Sequence, residues 1–184
     1  MLAAAGAGGG VATALGACGG GGDNPEVTQT VRPDQARSDA AVMNSLLDLE
    51  RMAVIAYTLG LARLKGTALT MARTFRQHEL EHQHAVEQAI RGLGAHPVPA
   101  RPERSYSDGF PPLTSARDVL RFALDLENTQ ISAYGESLGS IVTPELRVTV
   151  LSIVGAEAEH MAAILGQLHE PQASRALVTG NAPT

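Results

Sequence analysis

From Ser38 onward, apolar side chains recur every three or four residues in four long stretches, the period of a helix with one face in a core. The first stretch covers about Ser38–Leu64. Gly66 suits a C′ position and Thr67 an N-cap, so a second helix follows over about Ala68–Leu93, closed by Gly92, Gly94 and Pro97. Ser115-x-x-Asp118 reads as a capping box that opens a third helix, to about Gly139. Thr143 followed by Pro144 is an N-cap with Pro at N1 and opens the fourth, to about Leu168. The first–second and third–fourth connections are too short for anything but antiparallel neighbours. Between the hairpins lies Gly94–Thr114, a stretch of 21 residues with prolines at 97, 99, 102, 111 and 112. Fully extended it reaches ~70 Å, whereas a helix of about 27 residues is only ~40 Å long. It can therefore run the length of the bundle. The predicted fold is all-α: an antiparallel four-helix bundle (38–168) built from two hairpins, 38–93 and 115–168, joined by a long crossover, 94–114, and followed by a C-terminal tail, 169–184.

The 184-residue length suits one such domain. Aromatic residues are 3% of the chain and Trp is absent, so the core is mainly Leu, Ala, Val, Ile and Met. Lys and Arg number 14 against 19 Asp and Glu, a net charge of −5, which gives no electrostatic footprint for nucleic acid. A single Cys excludes an intrachain disulfide and any Cys-based zinc or iron–sulfur site.

The N-terminal 22 residues differ from the rest. They hold nine of the 19 Gly and no charged side chain. The run Leu2–Ala17, 16 residues long and Gly-rich, is too short for a spanning helix and suits the apolar region of a secretory signal. Leu15-Gly16-Ala17-Cys18 resembles a bacterial lipobox, in which the Cys is lipidated, and the chain's one Cys stands where that motif needs it. A basic n-region is missing, which a start upstream of Met1 would explain. The alternative is a Gly/Ala tail with a coincidental Cys. Residues 18–37, rich in Gly, Pro, Asp and Gln without apolar periodicity, read as a flexible tether. These features predict a signal segment over 1–17, lipidation at Cys18, a membrane anchor and an extracytoplasmic location in a bacterium.

The two hairpins repeat one another. Leu47-Asp48-Leu49-Glu50 matches Leu124-Asp125-Leu126-Glu127, and Ala56-Tyr57 matches Ala133-Tyr134, both at an offset of 77. Glu79-Leu80-Glu81-His82 matches Glu157-Ala158-Glu159-His160 at an offset of 78. Residues i and i+3 share a helix face, so each Glu-x-x-His presents both groups together, among apolar neighbours such as Phe75, Val86, Ile153 and Ile164. Glu50 and Glu127 lie in equally apolar stripes. Buried carboxylates are normally paired or bound to metal. Counted from the hairpin turns, the positions match within about one turn, which predicts one layer at mid-bundle. Four carboxylates with two imidazoles suit two iron or manganese ions.

This pattern, Glu…Glu-x-x-His twice with a crossover between, resembles the ferritin-like di-iron/di-manganese carboxylate superfamily over about residues 38–168. The resemblance implies the ligands Glu50, Glu79, His82, Glu127, Glu157 and His160, with Glu79 and Glu157 bridging two irons or, as the alternative, two manganese ions. A metal-free polar layer is the bland reading of the same residues. Tyr57 and Tyr134 read either as core residues or as redox-active groups near the metals. His78 and His84, whose counterparts are Ala156 and Ala162, are expected in solvent or at the rim, and Glu81, Glu159, Asp48 and Asp125 on other faces. The resemblance implies an envelope protein that oxidises Fe2+ or reacts with O2 or peroxide, a possible oxidoreductase. The alternative is a non-catalytic ferritin-like protein that binds metal or a partner in stress tolerance. A homodimer is compatible with either.

Overall fold

The computed structural model describes residues 31–173 and 178–180. The expected signal segment, Cys18 and all of the expected tether up to Thr30 lie outside them. Among the described residues there are helices and no strands: α1 (Pro33–Gly60), a 3-10 turn (Leu61–Arg63), α2 (Gly66–Gly92), α3 (Glu103–Ser107), α4 (Ala116–Ser137) and α5 (Pro144–Gln167).

Local chemistry sets most boundaries. α1 begins at Pro33, five residues before the expected start, so 33–37 is helix and not tether. Pro at N1 has its φ already fixed, and the Gln35 side chain accepts the Arg32 N–H at 3.1 Å. Gly66 takes φ +55° at the first hairpin turn. Thr67 is not the N-cap there; Lys65 is, and the Thr67 hydroxyl bonds to Gln167 at 3.2 Å. α2 closes with a Schellman motif: Gly94 has φ +74°, its N–H donates to Arg91 O, and Ala95 N–H donates to Ile90 O. Ser115 and Asp118 form the expected reciprocal capping box. Thr143 occupies the N-cap of α5, but its side chain makes no cap bond. The turn before α5 is instead held by α1: the buried Asp39 carboxylate accepts Val142 N–H at 3.0 Å and Thr143 N–H at 2.8 Å.

α1 and α2 form one hairpin and α4 and α5 the other; α1 lies against α4, and α2 against α5. The crossover returns along α1. Val98 N–H donates to Asn44 at 2.7 Å, Tyr106 hydroxyl to Asp48 at 2.8 Å and Arg63 to Leu113 O at 3.1 Å. α4 therefore starts at the far end of α1 and runs antiparallel to it. The Pro-rich segment is more ordered than its composition suggests. Tyr106 on the short α3 is buried, and Arg101 stacks over its ring at 4.3 Å while pairing with Asp48 at 2.5 Å. At the α1–α4 contact, Gly60 leaves room for Val119, whose Cγ1 would lie 2.7 Å from an added Cβ.

The apolar core falls into two large clusters. One centres on Met43, Leu47, Val86, Ile90 and Val150, the other on Phe75, Leu120, Leu124 and Ile164. A polar layer separates them. Replacing Asp39 with Ala leaves the turn before α5 without its acceptor and should cost ~1–2 kcal/mol, a fall of ~2–8 °C in thermal midpoint. Thermal unfolding followed by circular dichroism measures this, and a variant that melts like the parent would show that the contact contributes nothing.

Candidate metal centre

Each of the four long helices sends carboxylate into the polar layer. Glu50 on α1, Glu79 on α2, Glu127 on α4 and Glu157 on α5 have no exposed surface. His160 is buried and His82 partly buried. The six side chains that share the Glu and Glu-x-x-His pattern converge, and they do so as two abutting groups. In the first, His82 Nδ1 lies 3.1 Å from Glu157 Oε1, 3.7 Å from Glu50 Oε2 and 3.8 Å from Glu79 Oε2. In the second, His160 Nδ1 lies 2.9 Å from Glu157 Oε2 and 3.4 Å from both Glu79 Oε1 and Glu127 Oε1. Within each group of four residues the candidate ligand atoms lie within 4.8 Å of one another. Glu79 and Glu157 belong to both groups, each turning one oxygen to either side.

The tyrosines tie the two hairpins together at this layer. Tyr57 hydroxyl donates to Glu127, and Tyr134 hydroxyl donates to Glu50. Because α1 and α4 are antiparallel, Tyr57 is level with Glu127, and Glu50 with Tyr134. The six groups thus meet within one polar layer, as two donor sets that share Glu79 and Glu157. Both tyrosines are core residues, and both touch a carboxylate of the centre. Burial and the adjoining carboxylates push their hydroxyls well above the usual range.

Two residues beyond the repeated motif complete the site. Gln130 is fully buried, and its Nε2 donates to Glu79 Oε2 at 3.2 Å, Glu157 Oε1 at 3.4 Å and Glu50 Oε2 at 3.5 Å. Its one sequence signal is a polar residue three positions after Glu127 on the core face. His78 is partly exposed, as a rim residue would be, and it also reaches the centre. Its Nδ1 meets His160 Nε2 at 3.0 Å, and the two rings stack. His84, Glu81, Glu159 and Asp125 are exposed, and Asp48 holds the crossover.

Charge in this layer is balanced within itself. Burial, with the Glu79 and Glu157 charges added, pushes Glu50 up to about 8 against the pull of His82. Burial and Glu157 push Glu127 well above the carboxylate range. Burial acts the same way on Glu79 and Glu157, but hydrogen bonding from His160 and His82 overcomes it, lowering Glu79 and holding Glu157 at about 2. The histidines respond in kind: burial opposes their charge, yet the carboxylates push His82 up to about 12 and His160 to about 11. These directions favour charge on the two histidines and on Glu79 and Glu157, and a proton on Glu50 and Glu127, a distribution that balances within the layer.

These contacts do not satisfy the layer. Glu79 Oε1, Glu127 Oε2, Glu157 Oε2, Gln130 Oε1 and Nδ1 of both histidines are buried without an aligned hydrogen-bond partner. Most are oxygen and imidazole donors aimed at the same small volumes. That donor set fits two divalent transition-metal ions.

Known proteins agree with this architecture. A solved structure described as one of the ferritin-like, diiron-carboxylate proteins from Bacillus anthracis str. Ames is similar to the chain, with a TM-score of 0.60 at 20% identity, over 73% of this chain and 97% of that one. No curated protein matches the sequence. The ferritin-like domain family matches residues 38–170, a span that contains all four long helices from Ser38 on and every residue of the centre. The chain belongs to the ferritin-like domain family.

Proposed function

We propose that the chain binds two metal ions, iron or alternatively manganese, and works as an oxidoreductase that oxidises Fe2+ or reacts with O2 or peroxide. The observation that carries this reading is the pair of donor groups sharing Glu79 and Glu157, with unsatisfied buried atoms in both. Glu50, Glu79, His82 and Glu157 would hold one ion, and Glu79, Glu127, Glu157 and His160 the other. Two such ions supply redox equivalents for reducing O2 or peroxide. The protein's own part is orientation and proton control. His78 engages His160 Nε2, which leaves Nδ1 turned toward the carboxylates. Tyr57 and Tyr134 hold hydroxyl protons on Glu127 and Glu50. The apolar clusters above and below exclude bulk water. We also propose lipidation at Cys18 and an extracytoplasmic site of action, supported by the Leu15-Gly16-Ala17-Cys18 motif in the sequence.

Metal binding must remove protons from Glu50, Glu127, His82 and His160, so about four should be released per pair of divalent ions near neutral pH. Calorimetry in buffers of different ionisation enthalpy counts them. Glu50 and both histidines have folded values above their unfolded ones, so their stabilisation of the metal-free protein is full at low pH. It is lost as pH rises, through about 8 for Glu50 and about 11 to 12 for the histidines. The thermal midpoint in chelator should therefore fall between pH 5 and 9, to about the extent that these groups titrate, while the rise on adding metal should grow. A flat metal-free profile would contradict this charge assignment.

Replacing His82 or His160 with Ala should lower metal content by roughly tenfold at limiting metal, and replacing the exposed His84 should leave it unchanged. Equal loss from all three variants would remove the ligand set. Oxygen uptake that depends on Fe2+ tests turnover; metal binding without uptake would favour a non-catalytic metal-binding role. Cys18→Ser should release the protein from membranes, and fractionation like the parent would remove the anchor.

A further inference from the structure

The sequence repeat relates the two halves of the centre, but the structure does not make them equal. In the His160 half, Glu79 Oε1, Glu127 Oε2, Glu157 Oε2 and His160 Nδ1 are all buried and lack a hydrogen-bond partner. The His160 ring is braced as well, by His78 Nδ1 at 3.0 Å on its far nitrogen and by Phe75, stacked at 4.0 Å between centroids.

The His82 half is different in three ways. Its oxygens, Glu50 Oε2, Glu79 Oε2 and Glu157 Oε1, are already engaged by Gln130 Nε2 at 3.5, 3.2 and 3.4 Å. The repeat places Ala53 where a matching amide would serve the other half, and Ala156 where a matching histidine would brace His82. His82 also lines a cavity of about 370 Å³ between α2 and α5, with Glu81, Thr149 and Ser152 around it. An ion entering the His160 half meets oxygens that no amide engages; the group beside them is His160 Nδ1, itself a ligand of that half. An ion entering the His82 half must compete for oxygens that share the two N–H bonds of one amide, and that amide is fully buried and cannot turn to water in compensation.

Resting on the dinuclear reading above, we infer that the two ion positions are unequal: the His160 position fills first and retains its ion, the His82 position fills second and exchanges through the adjoining cavity, and Gln130 sets the difference. The second position is then the place for a divalent cation that comes and goes.

Titration of the metal-free full chain with Mn2+, with free ion read by electron paramagnetic resonance, separates these events. Two ions should bind with dissociation constants about tenfold or more apart. Glu50→Ala should abolish the weaker event and keep the tighter one, and Glu127→Ala should do the reverse. Gln130→Met, of similar bulk without the amide, should tighten the weaker event about tenfold and leave the tighter unchanged. His78→Ala changes a partly exposed residue that should not endanger folding, and it should weaken the tighter event ~10–100-fold and not the weaker. After loading, a pulse of isotopically labelled Mn2+ should replace one ion of the two. Two events of equal affinity, loss of the tighter event in Glu50→Ala, or weakening of the second event in Gln130→Met would overturn the inference while leaving a dinuclear centre. No Mn2+ binding at all would overturn the dinuclear reading and this inference with it.

Discussion

Four glutamates without exposed surface have been brought to the middle of an apolar bundle, and a low-dielectric interior accepts them only if the layer stays neutral. Two imidazolium groups and two retained carboxyl protons meet that condition without metal. Two divalent ions meet it equally well, since four positive charges then face four carboxylates. On the proposed reading, protons would exchange for metal with no change in net charge. Much else follows from this requirement. Helices of 22 to 28 residues are needed to keep the layer far from both ends. Apolar clusters are needed on both sides of it, and the crossover must pass outside so that all four helices can face inward.

The features legible in the sequence were those that repeat. Glu50, Glu79, His82 and their counterparts sit at helical spacing in apolar stripes, and a duplicated pattern makes each copy evidence for the other. What breaks the repeat was hidden for the same reason. Gln130 has Ala53 as its counterpart and His78 has Ala156, so neither is marked by recurrence. A glutamine on a helix face is most often solvated; only its placement level with three carboxylates gives it a role. Counting each residue from its own hairpin turn was enough to bring the six groups together, because a position about half a helix from either end lies at mid-bundle.

Ends of elements were read less well where tertiary partners decide them. Asp39 fixes the turn that leads into α5 from a helix about a hundred residues earlier in the chain, a partnership no local window contains. The prolines of the crossover show that it leaves the helices, but not what holds it in place. Its order comes from Asp48, which anchors both Arg101 and Tyr106 and so fixes the segment against α1.

The reciprocal tyrosine contacts bear on how such a chain can arise. Each hairpin carries a glutamate whose hydroxyl donor resides on the other hairpin, so one hairpin alone is half of a lock and half of its key. Two copies of a single ancestral hairpin would satisfy one another by symmetry, but any substitution would then appear in both halves at once. Fusion into one polypeptide removes that restriction. Gln130 opposite Ala53, and His78 opposite Ala156, are differences that two identical hairpins could not hold, and both fall at the centre the two halves share.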